Sequence, residues 1–128
     1  MDIGLLLGVG SAFAVPLAFC TFGWLFTHGR YPKHPNDIYG YRTTLAMKND
    51  ETWAFAQELW GRVSWRFGIC MFVLSSAFTA LLWVLTYRQF MSCLCGLVVI
   101  ESLLSLATII PVERALKKSF DEYGRKTA

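Results

Sequence analysis

Residues 67–87, FGICMFVLSSAFTALLWVLTY, contain no Asp, Glu, Lys or Arg. A helix rises about 1.5 Å per residue, so about 20 apolar residues cross a hydrocarbon core ~30 Å thick. Residues 3–29 carry no such charge either, and residues 89–112 carry a single one, Glu101. The chain therefore reads as an all-α membrane protein with three transmembrane helices, at about 3–26, 62–86 and 90–110. These form a single domain over 1–128, with a loop at 27–61 and a tail at 111–128. Of the 128 residues, 55% are hydrophobic and 16% aromatic, too apolar for a soluble domain of this size and ordinary for a membrane bundle. The N-terminus does not read as a cleavable signal. Asp2 stands where a basic segment belongs, and the apolar run is too long.

Charge sets the expected orientation. All of the 12 Lys and Arg residues except Arg88 fall in the long loop and its flanks or in the tail. With three spans those two segments share one face. The positive-inside rule then places loop and C-terminus in the cytoplasm and the N-terminus outside, in a multi-pass cell-membrane protein. Trp24, Trp60 and Trp65 suit the inner interface, and Trp83 and Tyr87 the outer one. Basic residues beside spans are ordinary for cytoplasmic loops, so no nucleic-acid partner is expected.

Within span 1, Gly4, Gly8 and Ala12 form a line of small residues that lets another backbone approach closely, and Pro16 should kink the helix. Three helices bury little surface, so a homo-oligomer, most simply a dimer, is expected. Asn49-Asp50-Glu51 is a helix-start signal. Trp53, Ala56, Trp60 and Val63 follow at helical spacing, which predicts a cytoplasmic interfacial helix of roughly 50–60 that bends at Gly61 into span 2. A tight turn is expected at Tyr87-Arg88-Gln89, and Pro111 should end span 3. The tail reads as a short amphipathic helix on the membrane surface, with Val112, Leu116, Phe120 and Tyr123 on one side and Gly124 as its C-cap.

Little in the chain points to an enzyme. Cys20, Cys70, Cys93 and Cys95 all fall within predicted spans, and none has redox-pair or zinc spacing. His28 and His34 sit in a Pro-containing segment with no nucleophile, phosphate loop or metal spacing beside them. No cofactor and no metal are expected.

The loop is different. Asn36-Asp37-Ile38-Tyr39-Gly40-Tyr41-Arg42-Thr43 packs polar and aromatic groups beside a membrane. Its arginine can donate five hydrogen bonds in a planar fork. Such density suits a fixed network or a head-group site, although Asn-Asp and Tyr-Gly are also common turn pairs. Arg42 is the expected hub, with Asn36, Tyr39, Asn49 and Trp53 around it. The pattern Asn36-x-x-Tyr39-Gly40-x-Arg42-Thr43, followed by Asn49, Trp53, Ala56 and Gly61, resembles the SdpI family of bacterial integral membrane proteins. Members carry N-x-x-x-G-x-R-T, then N and W, on a loop between spans. The resemblance covers about residues 36–100 and corresponds to a single C-terminal-type unit. It implies membrane immunity, in which a cell is protected from a secreted peptide toxin; one member also holds a transcriptional repressor at the membrane. On that footing Asn36, Tyr39, Gly40, Arg42, Thr43, Asn49 and Trp53 are candidate ligand-binding residues, with membrane lipids and a peptide toxin as partners.

Glu101 is the remaining candidate. A carboxyl at mid-span is costly and by default a functional site. Ser105 and Thr108 extend one polar face, Ser75, Ser76 and Thr79 lie at similar depth on span 2, and Arg66 is near enough to reach toward it. Two readings stay open. One is a neutral acid that glues helices through Ser and Thr. The other is an ion- or proton-handling group in a small oligomeric transporter or channel subunit.

Overall fold

A computed structural model of the chain describes residues 2–127. Four helices follow in order: α1 (Ile3–Thr27), α2 (Asp50–Leu82), α3 (Tyr87–Ser105) and, after a 3-10 turn at Leu106–Thr108, α4 (Ile109–Ser119). Three helical segments are long and apolar enough to cross a membrane: α1, α2, and the run from α3 through α4.

The Asp2 side chain accepts from the Gly4 backbone N–H and opens α1, which runs on through a buried Pro16. Asn49 and Thr52 form a reciprocal cap on α2. No break follows at Gly61. The expected interfacial segment and span 2 are one helix of 33 residues, about 50 Å long against a ~30 Å core, more than one crossing needs. Gly61 serves close approach instead. A Cβ there would lie 2.7 Å from the Phe26 Cβ and 3.0 Å from the Thr27 backbone nitrogen. One at Gly68 would lie 2.6 Å from the Cys20 nitrogen, and one at Gly23 would run into the Trp65 backbone. The two longest helices thus cross with backbones nearly touching. The Gly4-Gly8-Ala12 face is covered within the chain by Tyr87, Met91 and Leu94 of α3.

The turn lies at 83–86, earlier than the sequence suggested. Gln89 Oε1 accepts from the Thr86 backbone N–H and hydroxyl, which starts α3 at Tyr87. Pro111 does not end the third span. Helical regularity loosens earlier, at Leu106–Thr108, and Pro111 sits in the first turn of α4, where its missing N–H leaves no bond unmade. The apolar face of α4 does not rest on a bilayer surface either. Val112, Leu116 and Phe120 are buried against Tyr41, Ala46 and Ala56, with Phe55, Leu59 and Trp60 at the edge. Tyr123 is exposed, and α4 ends at Ser119, so Gly124 (φ +80°) caps no helix. It turns a short tail closed by Phe120–Lys126 pairing and packs against Lys48 and Asn49. A second, smaller core joins Ala12, Phe90 and Leu94 near the turn end of the bundle.

Candidate functional site

The first third of α2 organises the motif loop. Trp53 is fully buried, and its indole N–H donates to the Pro32 carbonyl at 2.6 Å. One turn on, the buried Gln57 holds both backbone polar groups of one residue: its Oε1 accepts from the Tyr41 N–H and its amide donates to the Tyr41 carbonyl, each at 2.7 Å. Gly40 is required by this clamp. Its φ is +120°, and a Cβ would lie 2.7 Å from Gln57 Oε1 and 3.4 Å from the Trp53 ring.

Clamping the Tyr41 backbone aims its side chain at α4. The Tyr41 hydroxyl donates to Glu113 Oε1 at 2.7 Å, and the Thr43 hydroxyl to the same oxygen at 2.5 Å. Burial pushes the Tyr41 phenol well above its ordinary range, and the hydrogen bond and negative charge of Glu113 add to it. Asn49 works at the other edge of the loop. It caps α2 through Thr52 and donates to the Gly124 carbonyl at 2.7 Å, while Lys126 pairs with Glu51 at 2.9 Å, so loop and tail are tied to one helix end.

Arg42 is not the hub of this network. Its Nη1 donates to the Asp37 and Ile38 carbonyls at 3.0 and 2.8 Å, which closes the loop tip on itself. Asn36 and Tyr39 are exposed. The organiser is Gln57, and the loop meets α4 at Glu113. The available signal for Gln57 was one polar side chain a turn after Trp53 in an apolar stripe. Nothing local marked Glu113, which lies 70 residues from Thr43.

Two grooves flank Thr43. One of about 880 Å³, on the tail side, is lined by Thr43, Lys48, Glu113, Lys117, Phe120 and Tyr123 among others. The other, of about 370 Å³, runs from Gly40, Arg42 and Thr43 past Trp60 to Phe19, Ser105, Leu106 and Ile109. The motif therefore walls a space that runs from the loop to apolar residues of α1 and of the 3-10 turn.

Glu101 stands apart, fully buried in the bundle. One oxygen accepts from the Ser75 hydroxyl, and the other has no hydrogen-bond partner among the described residues. Arg66 is exposed and makes no ion pair among the described residues. His28 stacks on Trp24, and His34 lies 3.5 Å from Asp50, both at the surface. No metal-holding group of three or more His, Cys, Asp or Glu occurs among the described residues.

No curated protein and no solved structure matches the chain. Among protein families, residues 33–111 match the SdpI/YfhL protein family, a range that holds the motif residues from Asn36 to Trp53, all of α2 and α3 and the start of α4. By that match, over more than half its length, the chain belongs to the SdpI/YfhL family.

Proposed function

We propose that this membrane protein is an immunity-type factor that protects the bilayer by holding an amphipathic ligand, a peptide toxin or a lipid, at its motif. The observation that carries this reading is the smaller groove. Gly40, Arg42 and Thr43 form its polar mouth, while Phe19, Leu106 and Ile109 form an apolar floor at membrane depth. An amphipathic molecule matches such a gradient. The concentration of Lys and Arg on that end supports a cytoplasmic motif face.

A second reading rests on Glu101, whose unpartnered buried oxygen is the kind of group an ion or proton pathway uses. One set of strains separates the two. Cells with and without the chain are challenged with graded doses of a secreted amphipathic peptide toxin. Survival that rises with the wild-type chain, falls with Arg42→Ala and is kept with Glu101→Gln supports binding at the motif. Proton or ion flux in proteoliposomes that Glu101→Gln abolishes and Arg42→Ala leaves intact supports transport instead.

A further inference from the structure

We propose that the groove below Arg42 holds one phospholipid, with its anionic phosphodiester on the Arg42 guanidinium and an acyl chain along Phe19, Leu106 and Ile109. This rests on the motif-binding reading and narrows its ligand.

Among the side chains that line the groove, each hydroxyl already donates its hydrogen bond within the protein. Tyr41 and Thr43 donate to Glu113, Thr108 to the Ser105 carbonyl, and Ser105 to the Ser102 carbonyl. The Trp60 indole N–H points at Thr108. Arg42 is the exception. Only its Nη1 is used, on two carbonyls, which leaves Nε and Nη2 without partners among the described residues. No carboxylate lines the groove, and Arg42 forms no ion pair among the described residues. Glu113 stands behind Tyr41 and Thr43 with one oxygen held by their two hydroxyls, so the groove presents one positive charge with open N–H donors and no carboxylate paired to it among the described residues, and the fork geometry of a guanidinium suits two oxygens of one phosphate.

Depth supplies the second half. Phe19 lies eight residues before the end of α1 at Thr27, about 12 Å further into the bilayer by helical rise. Leu106 and Ile109 on the facing wall are exposed apolar side chains at the 3-10 step of the third span. A free phosphate would satisfy Arg42 and leave this floor bare, and an alkyl chain alone would leave Arg42 unpaired. A phospholipid satisfies both.

The test uses the full chain purified in dodecyl maltoside, with phosphatidylglycerol and phosphatidylcholine added in equal amounts and retained lipid counted by native mass spectrometry. Both lipids carry the phosphodiester, but the choline ammonium of phosphatidylcholine already neutralises its phosphate and adds a like charge beside Arg42, so the wild type should retain phosphatidylglycerol in about tenfold excess. Arg42→Gln should bring the two lipids level, and Arg42→Lys should restore part of the excess. Arg42→Gln also removes the bonds to Asp37 and Ile38, so Leu106→Trp, which touches neither, fills the floor as an independent variant and should lower retention of both lipids. Equal retention by the wild type, an excess that Arg42→Gln leaves unchanged, or no effect of Leu106→Trp would each overturn the site. So would a dimer that Leu106→Trp dissociates, since that assigns the groove to a second copy. If Arg42→Gln abolishes toxin protection while lipid retention is unchanged, the lipid inference fails and the peptide reading stands. If lipid selectivity behaves as expected but no strain is protected, the immunity reading fails and the lipid site stands.

Discussion

The two ends of this molecule are held together by different physics. At the motif end, Tyr41, Ala46, Ala56, Val112, Leu116 and Phe120 form a core that is closed by directed bonds: Gln57 to the Tyr41 backbone N–H and carbonyl, Tyr41 and Thr43 to Glu113, Trp53 to Pro32, and Asn49 to Gly124. Along the spans such bonds are few. The helices meet through Gly23, Gly61 and Gly68, the turn-end core is small, and Ser75–Glu101 and Trp60–Thr108 are the side-chain polar bonds between spans among the described residues. A lipid-facing bundle gains nothing from hiding apolar surface from tails that are equally apolar, so close backbone packing takes over. The motif end carries the polar loop and the charged start of α2, and there burial and hydrogen bonding have their ordinary weight.

This contrast breaks most visibly at a glycine. Gly61→Leu should be the most destructive single change, because the side chain meets the Phe26 Cβ and the Thr27 backbone and neither can move aside. Overpacking costs about 1–3 kcal/mol where neighbours yield, and here we expect more than ~3 kcal/mol. Gly96→Ala, with nothing within 4 Å of its Cβ, should shift stability by less than about 0.5 kcal/mol. Thermal melts of the two proteins in one detergent measure the difference. Comparable melting points would show that α1 and α2 are not packed through their glycines.

The motif end should break at Gln57 rather than at Arg42. Gln57→Leu leaves the Tyr41 N–H and C=O buried without partners, and each orphaned group costs roughly 1–3 kcal/mol. A loss of about 2–3 kcal/mol is expected, with faster amide exchange over the motif loop than in Arg42→Ala. The reverse order of the two variants would restore Arg42 as the organiser.

That pair also shows what the sequence could and could not display. The spans, the Asn49 cap and the motif were legible because each is written locally, as charge-free length, a capping residue and a run of unusual composition. The family resemblance read from Asn36 to Gly61 matches the SdpI/YfhL assignment over 33–111. The hub was misplaced because chemical capacity drew attention to Arg42, whereas position decided the matter. Gln57 lies on the helix face that meets the loop, and that face is fixed only when Gly40 and Trp53 pack against it. Glu113 was illegible for a related reason, since its partners reach it across the whole fold. Gly61 looked like a bend because glycine loosens an isolated helix, but between two packed helices the same absent side chain lets them touch.

A smaller effect is expected at Glu101, and it sharpens the contrast from the membrane side. Its one hydrogen bond comes from Ser75, and no cation faces it among the described residues. A neutral Gln keeps an acceptor for Ser75 and strands no partner charge, so Glu101→Gln should change stability by no more than about 1 kcal/mol. A loss of ~3 kcal/mol or more, typical of breaking a buried ion pair, would mean that Arg66 or another cation reaches the site in the membrane.

The smallest effect concerns Tyr31, at the edge of the motif end. Its hydroxyl donates to Glu58 at 2.9 Å. Partial burial, then that hydrogen bond and the nearby carboxylate, push its phenol up to about 12 from an ordinary value of 10.0. Folding thus favours the protonated phenol. The stabilisation is fully present below about pH 10 and is lost as pH rises from there through about 12. A shift of this size at a closed site would be worth about 2.7 kcal/mol at 1.36 per unit. Tyr31 is only half-buried, solvent screens the pair, and a few tenths of a kcal/mol is the expected remainder. Absorbance at about 295 nm, compared between the wild type and Tyr31→Phe, should show one phenol fewer titrating near the top of that window. The wild-type advantage in melting temperature over Tyr31→Phe should be small at neutral pH and vanish by about pH 12. An advantage that grows with pH has the wrong sign for a raised phenol and would remove Glu58 as its partner.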